Sequence, residues 1–336
     1  MSASKRDAAM DGAGPGDPMW PATGRGHAPR AARLDVGVIG TGRVGSVLGA
    51  ALARAGHRIV AATGVSRESV ARASRLLPGV PLLPANDVVA RAALVLLAVP
   101  DDALPGLVAG LSETSAWRPG QLVVHTSGAH GLDVLAPAAR RGALPIALHP
   151  VMTFAGRPED LAKLAGVAYG VTTPDPGLVT PATPGPATPG LRPVAEALVL
   201  EMGGEPVWIP DEARPLYHAA LVTGANHLVT LVNDAVDLLR AAGVDEAGRV
   251  LGPLLGAALD NALRLGNAAL TGPVSRGDAG TIAEHLRTLG TYAPGAVPAY
   301  VAMARRTADR ALACGRLDPR LAEALLDVLA TKGASP

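Results

Sequence analysis

Aromatic side chains are scarce in this 336-residue sequence: three Trp, four Tyr and one Phe, 2% in all. Single-stranded nucleic acid is commonly held on stacked aromatic rings, so the scarcity argues against that partner. There is no charge excess to attract a phosphate backbone either, the formal net charge being +1. The single cysteine, Cys314, rules out a disulfide within the chain and predicts a reducing, cytoplasmic setting. Cys and His show no zinc-ligand spacing, and no carboxylate or thiolate spacing accompanies the histidines, so no metal is expected. Long apolar runs are missing as well. Ala92–Val99 is too short to span a bilayer, and Ala219–Val236 carries Thr223, Asn226, His227, Thr230, Asn233 and Asp234. Met1–Ala32 lacks the apolar core of a signal peptide and is expected to be a disordered tail.

What is abundant is hydrophobic residues, 49% of the chain and enough for two modest cores. From Leu34 short apolar runs alternate with amphipathic stretches. Strands are predicted at Leu34–Ile39, Arg58–Ala62, Pro81–Leu83, Ala93–Val99, Gln121–His125 and Ala143–Leu148. Helices are predicted between them at Val44–Ala55, Arg67–Leu77, Asp101–Leu111 and Leu132–Arg141. That alternation implies βαβ units in a doubly wound parallel sheet, an α/β Rossmann domain over 33–209. A Pro-rich loop, 174–190, precedes its last elements, Val167–Thr172 leading in and Pro206–Ile209 leading out. From Asp211 the pattern is helical throughout, which predicts an all-α domain over 210–332. Asp211, Asp278 and Asp318 stand at N-cap positions, and Gly243 and Gly315 where helices end.

Directly after the first strand, Gly40-Thr41-Gly42-Arg43-Val44-Gly45 matches G-x-G-x-x-G and opens a helix. Gly40 permits the tight turn, Gly42 lets backbone approach a pyrophosphate, and Gly45 lets helix and strand pack closely. The free N–H groups of the helix start favour the phosphates. The competing reading is an ordinary tight βα turn. At the end of the second strand, where an NAD site carries an acid for the ribose hydroxyls, this chain has Ser66 and Arg67. Hydroxyl and guanidinium suit a 2′-phosphate, hence NADP; the alternative for Arg67 is a surface arginine at a helix start.

Ligands of open parallel sheets lie beyond the carboxyl ends of the strands. Those ends are polar here: Val99-Pro100-Asp101, then His125-Thr126-Ser127, then His149-Pro150. His125, Ser127 and His149 are the site candidates of the first domain, with capping roles the alternative for Asp101 and Ser127. The long helix Glu212–Ala242 has one polar seam, Thr223, Asn226, Thr230, Asn233 and Asp237, in which Asn226 is the candidate ligand contact. His218 lies two turns before it, whereas His227 reads as a core or interface histidine. Between later helices, Thr271-Gly272-Pro273-Val274-Ser275-Arg276-Gly277-Asp278 offers Thr271 and Arg276 to a substrate carboxylate, or else an Arg276–Asp278 loop staple.

With these stretches in view, the chain resembles the superfamily of pyrroline-5-carboxylate reductase, ketopantoate reductase and 6-phosphogluconate dehydrogenase. His125-Thr126-Ser127-Gly128, Leu148-His149-Pro150, Ala225-Asn226-His227 and the Thr271–Asp278 segment are similar to an actinobacterial-type Rossmann-like family whose second half is a domain of unknown function. His149-Pro150 is also similar to the His-Pro step of prephenate dehydrogenases, where the histidine serves the substrate. The resemblance implies a 6-phosphogluconate-dehydrogenase-like helical domain and a homodimer. It also implies an NADPH-dependent reductase of a small polar C=O or C=N compound bearing a carboxylate. A non-catalytic NADP-binding sensor or scaffold and a deazaflavin-linked NADP oxidoreductase are the alternatives. One departure counts: the lysine that hydroxyacid dehydrogenases of the superfamily place four residues before the equivalent of Asn226 is Val222 here. A histidine, His149, His125 or His218, then has to supply the proton.

Overall fold

The computed structural model describes residues 33–174 and 190–331; the expected tail and the bulk of the Pro-rich loop lie outside the described residues. The chain forms two compact units, divided after His218. Among the described residues no helix is long and apolar enough to cross a membrane.

In the first unit the elements run β1 (Asp35–Ile39), α1 (Arg43–Arg54), β2 (Arg58–Thr63), α2 (Arg67–Leu76), α3 (Ala85–Arg91), β3 (Leu94–Leu97), α4 (Leu104–Glu113), β4 (Leu122–His125), α5 (Ala136–Ala139), β5 (Leu144–Pro150), α6 (Asp160–Lys163), β6 (Ala168–Thr172), α7 (Leu191–Glu201) and β7 (Glu205–Trp208). The seven strands form one sheet in the order β2-β1-β3-β4-β5-β6-β7. Both faces are covered, so the central strands are continuously apolar, and all four residues of β3, Leu94–Leu97, are buried. Alternate residues serve separate cores. Val36, Val38, Leu94, Leu96 and Val124 pack with α1 and α7, while Ile39, Val95, Leu97 and Val123 pack with α3 and α4.

The structure departs from the sequence expectation at four places. β6 runs antiparallel to β5, whereas a wholly parallel sheet was expected. The connection between them holds only the one-turn helix α6, with no full crossover helix of the kind that usually joins parallel strands. Pro81–Leu83 makes only a single bridge, Ala62 to Leu82, because Pro81 cannot donate to a ladder. The predicted helix Leu132–Arg141 is a 3-10 turn, Leu132–Leu135, followed by the short α5. The helix α3 was not anticipated; seven residues give too short a period to read, yet its Val88 and Val89 are fully buried.

α8 (Arg214–Ala241) begins in the first unit and continues into the second. Then follow α9 (Ala247–Leu265), α10 (Pro273–Arg276), α11 (Ala279–Tyr292), α12 (Val297–Ala313) and α13 (Pro319–Thr331). The core of the second unit lies among α11, α12 and α13, around Ile282, Leu286, Ala308 and Leu325. Asp278 caps α11, accepting from the Thr281 amide at 3.0 Å. Asp211 is not the cap expected of it: it lies in a 3-10 turn and instead accepts from the amide of Leu132 at 2.8 Å.

Candidate functional site

The glycine turn after β1 has a separate steric reason at each position. Gly40 has φ +96°, and a Cβ there would sit 2.5 Å from the Ala98 carbonyl oxygen. A Cβ on Gly45 would collide with the Gly40 carbonyl. Gly42 differs: its φ is −68°, open to any residue, and a Cβ would meet no protein atom within 4 Å. It would project into the space in front of the α1 N-terminus, whose amides have no side-chain cap. Thr41 is fully buried, its hydroxyl bonded to the carbonyls of Thr63 and Ser69; it holds β2 and α2 against the turn.

A cavity of about 880 Å³ opens beyond this turn, lined by Gly40, Thr41 and Gly42, by Thr63, Ser66 and Ser69, and by Val99 and Pro100 among others. Among the described residues no carboxylate lines it. Ser66 caps α2, accepting from the Ser69 amide at 3.1 Å, and its hydroxyl donates to the Glu68 carboxylate. Arg67 is exposed at the start of α2 and does not itself line the cavity.

Gly42, Ala98, Val99 and Pro100 also line an adjoining cavity of about 350 Å³, whose other walls include Arg43, Val44, Asp101, Ser127, His149 and His218. The two cavities therefore form one crevice along the carboxyl ends of β1, β3, β4 and β5. Of the three histidines expected to compete there, two line it. His125 does not: its side chain is fully buried, its Nε2 lies 3.1 Å from the Gly131 carbonyl, and its Nδ1 accepts from the Ser127 amide at 3.2 Å. Both ring nitrogens are thus committed to shaping the loop after β4. Burial and then the Arg214 guanidinium push its pKa down to about 3. Ser127 caps no helix: its hydroxyl oxygen accepts from the amides of Ala129 and His130, closing a turn in the loop after β4, and it also faces the crevice.

His149 lies at the end of β5, paired in register with Gly170 of β6. The missing side chain of Gly170 leaves room for the ring of Tyr217, which would otherwise clash with a Cβ there. The Tyr217 phenol oxygen thereby comes within 2.9 Å of His149 Nδ1. The opposite nitrogen, Nε2, borders the crevice beside Gly128, where a Cβ would sit 3.0 Å from it and 2.7 Å from His218 Cδ2. The His149 and His218 rings meet edge to face with centroids 6.1 Å apart. Burial, then Arg214 and His218, lower the His149 pKa to about 4 against the pull of Asp101, so the ring is neutral at physiological pH.

Arg214, one turn before Tyr217 on α8, escaped the sequence reading, as did Tyr217. Its side chain is fully buried; Nη1 donates to the Thr172 hydroxyl at 2.8 Å and Nη2 to the Ser127 carbonyl at 2.9 Å. Neither residue belongs to a motif, and an Arg at the start of a helix ordinarily reads as surface. Only the antiparallel β5–β6 register brings them to His149.

In the second unit, Asn226 and His227 are exposed on α8, so His227 is not a core histidine. Thr271 precedes α10 and lines a cavity of about 420 Å³ within that unit. Arg276 is exposed and has no ion pair among the described residues, so no Arg276–Asp278 staple forms.

Residues 21–150 match the Rossmann-like domain family and residues 186–307 a domain of unknown function, DUF2520. The Rossmann-like unit and its helical successor are also found together in solved structures. A Bacteroides fragilis protein, provisionally described as an NADP oxidoreductase, aligns with TM-score 0.65 and 21% identity over 82% of this chain and 98% of that one. A Thermotoga maritima protein aligns with TM-score 0.54 and 19% identity over 83% and 98%. The reductive aminase of Aspergillus terreus, solved with NADPH and ethyl levulinate, aligns with TM-score 0.54 and 19% identity over 88% and 99%. At these identities the likeness is one of fold. No curated protein matches the sequence.

Proposed function

We propose that this chain is a cytoplasmic NADP(H)-dependent oxidoreductase that reduces a small polar C=O or C=N substrate bearing a carboxylate, and that it works as a homodimer. The supporting observation is the continuous crevice: a phosphate cradle at Gly42 leads directly to the imidazole edge of His149. The cradle fits the cofactor, since the space that a Gly42 side chain would fill lies before uncapped helix amides. When bound, NADPH supplies hydride. The chain's own residues do the rest.

Gly40, Thr41, Gly42, Arg43, Val44 and Gly45 form the pyrophosphate turn. Ser66, on the cavity wall, and the neighbouring exposed Arg67 are assigned to the 2′-phosphate; among the described residues no acid lines that cavity to bind free ribose hydroxyls. Val99, Pro100, Asp101 and Ser127 wall the passage to the second cavity. His149 presents Nε2 to the substrate heteroatom, with His218 as the second imidazole at the same wall. The homodimer reading is supported by the apolar side chains exposed on α9, where Leu254 is 63% and Leu263 65% accessible. Light scattering on the intact chain is expected to give the mass of two copies; a monomer mass at micromolar concentration would remove this part of the proposal.

Cofactor choice gives the first test of the whole reading. NADPH is expected to bind more tightly than NADH, and Arg67→Ala to weaken NADPH by about ten- to a hundredfold, the value of one or two hydrogen bonds to a charged group. NADH affinity should hardly change. Calorimetry with equal losses for both cofactors would show that Arg67 does not meet the 2′-phosphate. Substrate-dependent NADPH oxidation, screened over small keto and imino acids, tests the reaction itself; tight NADPH binding with no turnover would instead favour the sensor reading.

A further inference from the structure

A neutral imidazole is a poor acid, and His149 is neutral at physiological pH, so the proton it delivers has to be replaced from behind. We propose that Tyr217 is the proton source for His149, and that the buried Arg214 is the positive charge that holds the phenolate left behind. The proposal rests on the reductase reading of the crevice and adds a proton path that this reading did not contain.

Three observations carry it. First, the only protein acceptor within hydrogen-bonding distance of the Tyr217 phenol, among the described residues, is His149 Nδ1 at 2.9 Å. The proposed path takes the phenol as the donor, the tautomer in which the neutral ring carries its own proton on Nε2, the nitrogen beside Gly128. Second, the geometry is fixed from both sides. Gly170, in register with His149, seats the phenol ring, and the two rings meet edge to face at 88°. Third, Arg214 is a buried cation with no direct ion pair among the described residues; the carboxylate that acts on it, Asp211, does so from beyond ion-pair distance. It is 0% exposed, its two hydrogen bonds go to neutral oxygens, its Nε has no partner, and no carboxylate lies within ion-pair distance among the described residues. Leaving a guanidinium without a direct ion pair in the interior is unfavourable unless an anion forms close by. Tyr217, one helical turn away, is the group whose proton loss creates one. Burial raises the Tyr217 pKa and Arg214 opposes that rise.

The step balances. When the substrate carbon has accepted hydride from the reduced nicotinamide, its oxygen or nitrogen holds the electron pair. That atom takes the Nε2 proton of His149 as the new O–H or N–H bond forms. Nδ1 takes the phenolic proton and the Tyr217 O–H bond breaks. The imidazole ends neutral with its proton moved from Nε2 to Nδ1, and the negative charge has passed to Tyr217 beside Arg214. Solvent then returns a proton to the phenolate, and the ring returns to its first tautomer. The other charged or titratable groups around His149 are His218 on α8, Asp101 after β3 and His125 on β4. None of them is hydrogen-bonded to Nδ1. Tyr217 and Arg214 act through His149 and are positioning residues in this sense.

Two measurements test the path. The first needs no turnover: nitrogen NMR of the intact, histidine-labelled protein is expected to show His149 neutral, protonated on Nε2, with Nδ1 shifted as a hydrogen-bond acceptor. In Tyr217→Phe the Nδ1 shift should revert to that of a free pyridine-type nitrogen. A wild-type proton on Nδ1, or no change in the variant, overturns the proposal and leaves the reductase reading standing. The second is kinetic. Tyr217→Phe should lower kcat at least about tenfold, at the low end of general-acid effects, with KM and NADPH affinity near wild type. Arg214→Gln should produce a loss no larger than that of Tyr217→Phe, and the double variant should be no worse than Tyr217→Phe alone, because Arg214 works through the phenol. Arg214→Lys, which keeps the charge, should restore part of the rate and controls for misfolding of the Gln variant. A wild-type kcat in Tyr217→Phe, or additive losses in the double variant, overturns the path. If the wild type reduces no carbonyl or imine, the reductase reading is what fails, and the tautomer measurement alone decides the His149–Tyr217 pair.

Discussion

His149→Asn is expected to cut turnover by about 10²–10⁴-fold, the range for loss of a positioned general acid, while NADPH affinity stays near wild type. Among the described residues, the ring is the only side chain that presents a titratable nitrogen to the crevice while bonded behind to a second proton carrier, at 2.9 Å to Tyr217. Asn is the informative replacement. Its carboxamide oxygen can still accept from the phenol, so the Tyr217 hydroxyl is not left unsatisfied and the packing over Gly170 is kept. What it cannot do is give up one proton while taking another. Melting temperature should therefore hold while kcat falls. If the variant turned over substrate at the normal rate, His149 would be a structural partner of Tyr217. The proton would then have to come from His218, the other imidazole on that wall, since both ring nitrogens of His125 are engaged by backbone.

Gly42→Val is expected to weaken NADPH binding by at least about a hundredfold with no loss of fold stability. The stability part follows from φ −68° and from the open space within 4 Å of where a Cβ would stand, which together leave nothing in the protein for a side chain to strain. The binding part follows from where that side chain would point. It would hold a phosphate away from the first amides of α1 and forfeit at least two charge-assisted hydrogen bonds, each worth about 1.5–3 kcal/mol; every 1.4 kcal/mol is about tenfold in Kd. Gly45→Ala is the contrasting control, because its Cβ meets the Gly40 carbonyl and the loss there should be one of folding. Calorimetric titration beside thermal melts separates the two. Unchanged NADPH affinity in a well-folded Gly42→Val protein would mean that no phosphate lies at this turn.

Much of the first unit was legible because its signals are local. Strand β3 declares itself through four consecutive buried apolar residues, and the glycine turn through spacing that backbone sterics alone explain. Where local signals are weak the reading failed. The seven-residue α3 has less than two full turns of period. The antiparallel β6 follows a connection with only the one-turn α6 and no full crossover helix, which does not show in the pattern of β6 itself. His125 and His149 looked equivalent in sequence, each a histidine at a strand end, and burial separates them: one ring is enclosed and bonded to backbone on both sides, the other is bonded behind and open in front.

The sequence by itself determined the alternation of strands and helices in the first unit, the phosphate turn, the absence of an acid at the end of β2, and the presence of an imidazole at the end of β5. Each of these depends on residues close together along the chain, where hydrophobic period, glycine sterics and strand-end position act directly. The tertiary structure decided which histidine faces the crevice and what lies behind it. Tyr217 is 68 positions from His149, and Arg214 is 87 from Ser127, whose carbonyl it bonds. They meet only because β6 pairs antiparallel with β5, placing Gly170 opposite His149 and Thr172 within reach of the guanidinium. A buried cation and a phenol at the back of an imidazole are contacts between distant segments, and no periodicity along the chain encodes them.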